Sequence, residues 1–178
     1  MHALELCLFE DEHAGNFQPL SLTRPVFDLQ CGIFTLGQKM IRHFPGYRVS
    51  YIVRSELIDV VREAKPDAVL NTLPEGGGFL MNSRFILEEK LPEPDGTSTA
   101  YICDDEIVGA YITKRDMKRL KINEAGGLKS ELFQEFPRLE IPGVLNNYLW
   151  DLVNGNAREL ERDFFFTQRG GQILAKLY

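Results

Sequence analysis

The chain has 178 residues and a mass of 20.3 kDa, which suits one domain burying roughly 70% of the surface its unfolded chain exposes, with no need of disulfide or metal. With 44% hydrophobic and 26% charged residues, its composition excludes disordered, collagen-like and low-complexity classes. A net charge of −6 and a pI near 5.2 remove the basic footprint of a general nucleic-acid binder, while leaving room for a local pocket that takes a small anion.

Leu4-Glu5-Leu6-Cys7-Leu8-Phe9 predicts a first strand at about residues 3–9, buried on both faces. Glu10 to Asn16 is a polar loop, and the proline-bearing stretch from Phe17 to Pro25 has no helical period and reads as an ordered loop. Ile33, Leu36, Met40, Ile41 and Phe44 fall on one helical face, with Gly32 opening the helix and Pro45-Gly46 closing it. Tyr47 to Val53 alternates and is a second strand. Leu57, Val60, Val61 and Ala64 mark another helix, and Asp67 to Asn71 a third, short strand. This order implies a parallel sheet with crossover helices.

Gly76-Gly77-Gly78 reads as a flexible turn leading into a buried strand, Phe79 to Asn82. Thr97 to Cys103 and Ile107 to Ile112 flank Asp104-Asp105 as a hairpin or antiparallel excursion. Lys114 to Leu120 and Leu128 to Phe136 look helical. Tyr148 to Phe166 is the last long helix, with Leu149, Leu152, Val153, Leu160 and Phe164 expected on its apolar side.

Cys7, Cys31 and Cys103 lack CxxC spacing and read as reduced thiols of a cytoplasmic protein. No run approaches the ~20 apolar residues of a membrane span. Glu5 interrupts an N-terminal stretch that has no basic flank, which argues against a signal peptide.

Four stretches bear on chemistry. Glu10-Asp11-Glu12 follows the first strand, where carboxylates could hold Mg²⁺ for a phosphate substrate or simply meet solvent. In Thr23-Arg24-Pro25 the proline holds Arg24 extended, so its guanidinium can meet phosphate with two parallel donors or pair with a surface carboxylate. Cys31 precedes a helix without a His or Asn partner constellation, and reads as a small buried hydrophobe before a nucleophile. Tyr148 and Trp150 suit either a core or a sugar pocket, the core being the commoner use. His2, His13 and His43 share no ligand spacing for zinc, and the triple glycine matches no phosphate-loop fingerprint.

Three blocks carry a family resemblance: Leu8-Phe9-Glu10-Asp11, the run Pro19 to Gly32 with its Leu-Thr-Arg-Pro core, and Tyr148 to Asn154. Through them residues 3 to 166 resemble the sugar nucleotidyltransferase family. The resemblance is closer to the divergent subgroup that forms the N-terminal half of proteins fused to a left-handed β-helix acyltransferase-like domain. It implies an α/β, Rossmann-like nucleotidyltransferase fold with a mostly parallel sheet, flanking helices and a small antiparallel excursion. The implied reaction joins a nucleoside triphosphate to a sugar 1-phosphate with release of pyrophosphate, using Mg²⁺. Standard members have a Gly-x-Gly-Thr-Arg loop where Glu10 to Gln18 stands, a Lys-Pro pair where Arg24-Pro25 stands, and a metal-binding Asp where Ser83-Arg84 stands.

The expectations are therefore these. Residues 1–169 form the nucleotidyltransferase-like domain, and residues 170–178 lead toward a β-helix domain. Arg24 is the principal phosphate contact and catalytic residue. Glu10, Asp11, Thr23, Asn82 and Arg84 complete the substrate site, with Asp11 on Mg²⁺. Partners are a nucleoside triphosphate and a sugar phosphate, with neither nucleic acid nor membrane, in a homo-oligomer of the full-length protein. The alternative is a non-catalytic domain that binds a sugar nucleotide or organises oligomers for an acyltransferase.

Overall fold

A computed structural model describes residues 5–123 and 125–167 of the protein. In chain order the strands are β1 (Glu5–Phe9), β2 (Gln30–Cys31), β3 (Phe34–Thr35), β4 (Arg48–Ile52), β5 (Val69–Leu70), β6 (Gly77–Asn82), β7 (Phe85–Leu87), β8 (Thr99–Cys103), β9 (Glu106–Thr113), β10 (Arg138–Glu140) and β11 (Gly143–Leu145). The helices are α1 (Leu36–Ile41), α2 (Ile58–Ala64), α3 (Lys114–Met117) and α4 (Leu149–Thr167). Single 3₁₀ turns fill much of the remainder. Among the described residues no helix is long and apolar enough to cross a membrane.

Leu6 to Phe9 is apolar on every residue because both faces of β1 are covered. Leu6 and Leu8 pack with Phe27, Met40 and Phe79 on one side. Cys7 and Phe9 pack with Leu80, Ile112 and Phe133 on the other. Seven strands form one sheet in the order β10-β8-β9-β6-β1-β4-β5. β1 is parallel to β4 and β6, β4 to β5, and β8 to β10, while β9 runs antiparallel between β6 and β8. The β8–β9 hairpin turns at Asp104 and Asp105, both with positive φ, which is the backbone a two-residue type I′ turn requires.

Several expectations are corrected. The stretch from Gly32 is not a helix start. β2 and β3 form a small hairpin whose turn uses Gly32 at φ +79°. The helix starts only at Leu36, where Thr35 and Gln38 form a reciprocal capping box. Nor is the triple glycine a flexible turn, because Gly77 and Gly78 lie within β6. A Cβ on Gly78 would strike the Glu5 carbonyl oxygen. A Cβ on Gly77, at φ +83°, would sit 2.6 Å from the Lys114 nitrogen. Glycine there lets β6 lie against β1 and the start of α3. The stretch Leu128 to Phe136 contains a 3₁₀ turn, Ser130–Phe133, in place of a helix.

α4 buries only part of its expected apolar side, Leu149 and Leu152. Leu152 is buried, but Val153, Leu160 and Phe164 face outward. The helix instead buries Glu159 and Asp163 against Lys39, which has no solvent exposure. Lys39 Nζ donates to Glu159 Oε2 at 3.0 Å and Asp163 Oδ2 at 2.5 Å, and Arg42 reaches Asp163 Oδ1 at 2.9 Å. The tail over residues 170–178 lies outside the described residues.

Candidate functional site

The chain runs from β1 outward to β4 and β5, then returns to β6 on the other flank of β1. That reversal is a topological switch point, and in open α/β sheets ligands bind beyond the carboxyl ends of the strands there. Register sets which residues reach it: Phe9 pairs with Ile52 on one side and Asn82 on the other. Glu10, Asp11, Arg54, Asn82 and Arg84 therefore all emerge at one end of the sheet.

Glu10 and Asp11 have separate surroundings. Glu10 is completely buried. Its Oε1 accepts the Val26 backbone N–H at 2.9 Å, and Oε2 accepts the Arg54 backbone N–H at 3.1 Å and Nε at 3.2 Å. Arg54 Nη2 also donates to the Ser21 carbonyl at 2.6 Å. Together these bonds bolt the loop from Ser21 to Val26 onto the ends of β1 and β4. Sequence reasoning offered Glu10 as a ligand for substrate, but both its oxygens are engaged within the protein.

Asp11 binds Arg84 in a buried, two-pronged pair: Nε donates to Oδ2 at 2.9 Å, and Nη2 lies 2.8 Å from the same oxygen. Asn82 Nδ2 donates to Asp11 Oδ2 at 2.8 Å, and the His13 backbone N–H to Oδ1 at 3.1 Å, so Asp11 also caps the 3₁₀ turn Glu12–Phe17. Burial alone would raise the Asp11 pKa, but hydrogen bonds and charge from Arg84, helped by Asn82 and His13, hold it below the usual carboxylate range. Arg84 spends its remaining donors on the Asn146 carbonyl at 3.1 Å and Asn147 Oδ1 at 2.5 Å. Asn146 Nδ2 returns a bond to the Arg84 carbonyl at 2.9 Å. Arg54, Asn146 and Asn147 had no sequence signal, because each acts through a partner distant in the chain.

Thr23 and Arg24 occupy the exposed crest of the bolted loop. Among the described residues, Arg24 makes no hydrogen bond or ion pair. Pro25 behind it is extended at φ −68° and ψ 157°, and the next 3₁₀ turn begins at Val26. The structure thus gathers Glu10, Asp11, Asn82 and Arg84 into one tight cluster and leaves Thr23 and Arg24 outside it, facing solvent.

The Mg²⁺ expectation rests on Asp11. Asp11, Glu12 and His13 each bring one ligand atom within 4.8 Å of the others. Mg²⁺ demands near-octahedral oxygen coordination, whereas this set offers one exposed carboxylate, one imidazole and one carboxylate already bound to a guanidinium. The residues present do not fit that ion.

A cleft of about 250 Å³ lies beside the cluster, lined by Glu12, His13, Arg84, Glu106, Glu131 and Arg138 among others. A larger cavity of about 490 Å³, lined in part by Glu5, Arg48, Gly76 and Lys114, lies at the opposite, amino end of β1 and away from the switch point. Tyr148 and Trp150 are surface residues, stacked on each other with centroids 4.4 Å apart. Cys31 is buried, its thiol donating to the Leu152 carbonyl at 3.5 Å, and burial with the nearby Glu159 raises its pKa, which disfavours the thiolate.

Solved structures share this architecture. A protein described as a glucose-1-phosphate thymidylyltransferase from Bacillus anthracis, in complex with sucrose, superposes with a TM-score of 0.62 at 8% identity, covering 90% of this chain and 96% of the other. CTP:phosphocholine cytidylyltransferase from Streptococcus pneumoniae gives 0.56 at 11% identity, covering 92% and 100%. UDP-glucose pyrophosphorylase complexed with UDP-glucose gives 0.53 at 10% identity, covering 93% and 100%. None of the curated proteins matches the chain. These likenesses establish the α/β nucleotidyltransferase fold. The sugar nucleotidyl transferase family matches over residues 6–172, nearly the whole sequence, and the chain belongs to that family.

Proposed function

We propose that this domain joins a nucleoside triphosphate to a sugar 1-phosphate. A sugar-phosphate oxygen attacks the α-phosphorus, the bond from that phosphorus to the bridging oxygen of the β-phosphate breaks, and pyrophosphate leaves with the electron pair. Such a displacement needs positioning and charge neutralisation more than a covalent partner. The observation that carries the reading is the free guanidinium of Arg24 on a loop bolted by Glu10 and Arg54 over the carboxyl ends of β1 and β4. A loop pinned on both sides positions the Arg24 backbone without spending its guanidinium, so all five N–H donors remain for a phosphate. The carboxylate-rich cleft next to Arg84 suits sugar hydroxyls, which donate to carboxylates.

A pyrophosphate-release assay tests it, with a panel of nucleoside triphosphates and sugar 1-phosphates in Mg²⁺ buffer. Release that requires both substrates supports the reading.

One observation favours a second reading, a domain that binds sugar nucleotides without turning them over: Arg84 ties up Asp11, the carboxylate expected on Mg²⁺, inside the protein. Thermal stabilisation by sugar nucleotides, with no pyrophosphate released from any pair, would select it.

A further inference from the structure

α4 carries a second apolar stripe that the domain leaves uncovered. Trp150, Val153, Ala157, Leu160 and Phe164 are all exposed, Val153 by 70% and Trp150 by 57%. Their spacing alternates three and four residues, the seam of a helix that packs against another helix along its length. The inward face is already used by Leu152, Glu159 and Asp163. With Phe165 and Ile33 beside it, the stripe presents an apolar area on the order of 700 Å², close to the ~800 Å² each partner gives to a stable complex and beyond the scattered exposure of an ordinary surface.

We propose that a second copy of this chain covers the stripe, with the two α4 helices antiparallel about a two-fold axis near Ala157–Leu160. The stripe is self-complementary in that arrangement. Ala157 meets Leu160 of the second copy, and Val153 meets its Phe164, so each smaller side chain faces a larger one and the layers interdigitate. The charges agree: Glu161, on the edge of the stripe, comes beside the neutral Asn154 of the second copy rather than another carboxylate. Ile33, at the tip of the β2–β3 hairpin, lines the same groove as Leu160 and Phe164 and extends the apolar surface.

Sedimentation velocity of the 178-residue chain should show the 20.3 kDa monomer giving way to a species of twice that mass as concentration rises. Leu160→Glu should leave circular dichroism, and melting at concentrations where both proteins are monomeric, unchanged while shifting dimerisation to at least tenfold higher concentration. Cross-linking reads the orientation independently. A mixture of the Ala157→Cys and Leu160→Cys proteins should form the mixed disulfide in preference to either self-pair, the native Cys7, Cys31 and Cys103 being buried. A monomer at every concentration, as would follow if another protein or a later part of the same chain covers the stripe, overturns the proposal. A dimer that survives Leu160→Glu, or one that forms the self-pairs instead, overturns it as well.

Discussion

Arg84 Nη2 lies 2.8 Å from Asp11 Oδ2, and the two side chains are 4% and 1% exposed. This pair joins the end of β1 to the turn after β6 at the point where the sheet reverses direction. Removing one partner of a buried pair strands the other charge, at a cost of about 3–5 kcal/mol. Arg84→Ala should therefore lower stability by that much in urea denaturation. Arg84→Lys should recover only part, because an ammonium cannot reproduce the guanidinium fork. A wild-type midpoint for Arg84→Ala would remove the pair from the account of stability.

Acid should loosen the fold. The Asp11 carboxyl, though raised by burial, is held below its ordinary pKa by Arg84, Asn82 and His13. Asp163 behaves likewise, its burial outweighed by Lys39, the Ile33 N–H and Arg42. A depressed folded pKa contributes stability that is complete above the unfolded value of about 4 and is lost as pH falls toward the folded one. Denaturation midpoints should be flat with pH for these groups above that value and fall below it. Asp11→Asn should be less stable at neutral pH and show a shallower acid decline.

Lys39 is the cation on which α4 closes. Lys39→Met leaves Glu159 and Asp163 buried, with Arg42, Arg158 and Arg162 at the margin as the remaining cations among the described residues. The expected loss is again about 3–5 kcal/mol, and amide exchange in α4 should accelerate more than in β1. Uniform acceleration across both elements would contradict a local latch.

Much of this architecture was legible in short segments. The apolar run at β1 and the Asp104-Asp105 turn carry their own physics, and both elements formed as expected. The α1 face is buried as its spacing predicts, at Leu36, Met40 and Phe44, and only the helix start differs, because Gly32 turns the β2–β3 hairpin. On α4, apolar spacing marks a stripe but not whether the domain covers it, and beyond Leu152 the covered face is acidic because its partner, Lys39, lies far off in sequence. The site divides the same way. Strand ends placed Glu10, Asp11, Asn82 and Arg84 together, but their bonding to one another follows from the β1–β6 register and the loop from Ser21 to Val26. No local pattern announces either.

Arg24 separates the functional reading from a structural one. A hydrogen bond between charged partners is worth enough to change affinity by about ten- to a hundredfold. Arg24→Ala should weaken binding of a nucleoside triphosphate by that factor in calorimetric titration and leave the melting temperature unchanged, since the side chain has no partner among the described residues. Arg24→Lys should restore part of the affinity. A destabilised variant with unaltered affinity would refute the phosphate role.

The most direct test of nucleotidyl transfer is ³¹P NMR on the protein mixed with a nucleoside triphosphate and a sugar 1-phosphate in Mg²⁺ buffer. The account predicts that the triphosphate and sugar-phosphate resonances decline together as a sugar-nucleotide diphosphate and free pyrophosphate grow in equal amounts. Triphosphate and sugar phosphate that both persist unchanged, across a panel of bases and sugars each shown to bind, would contradict it.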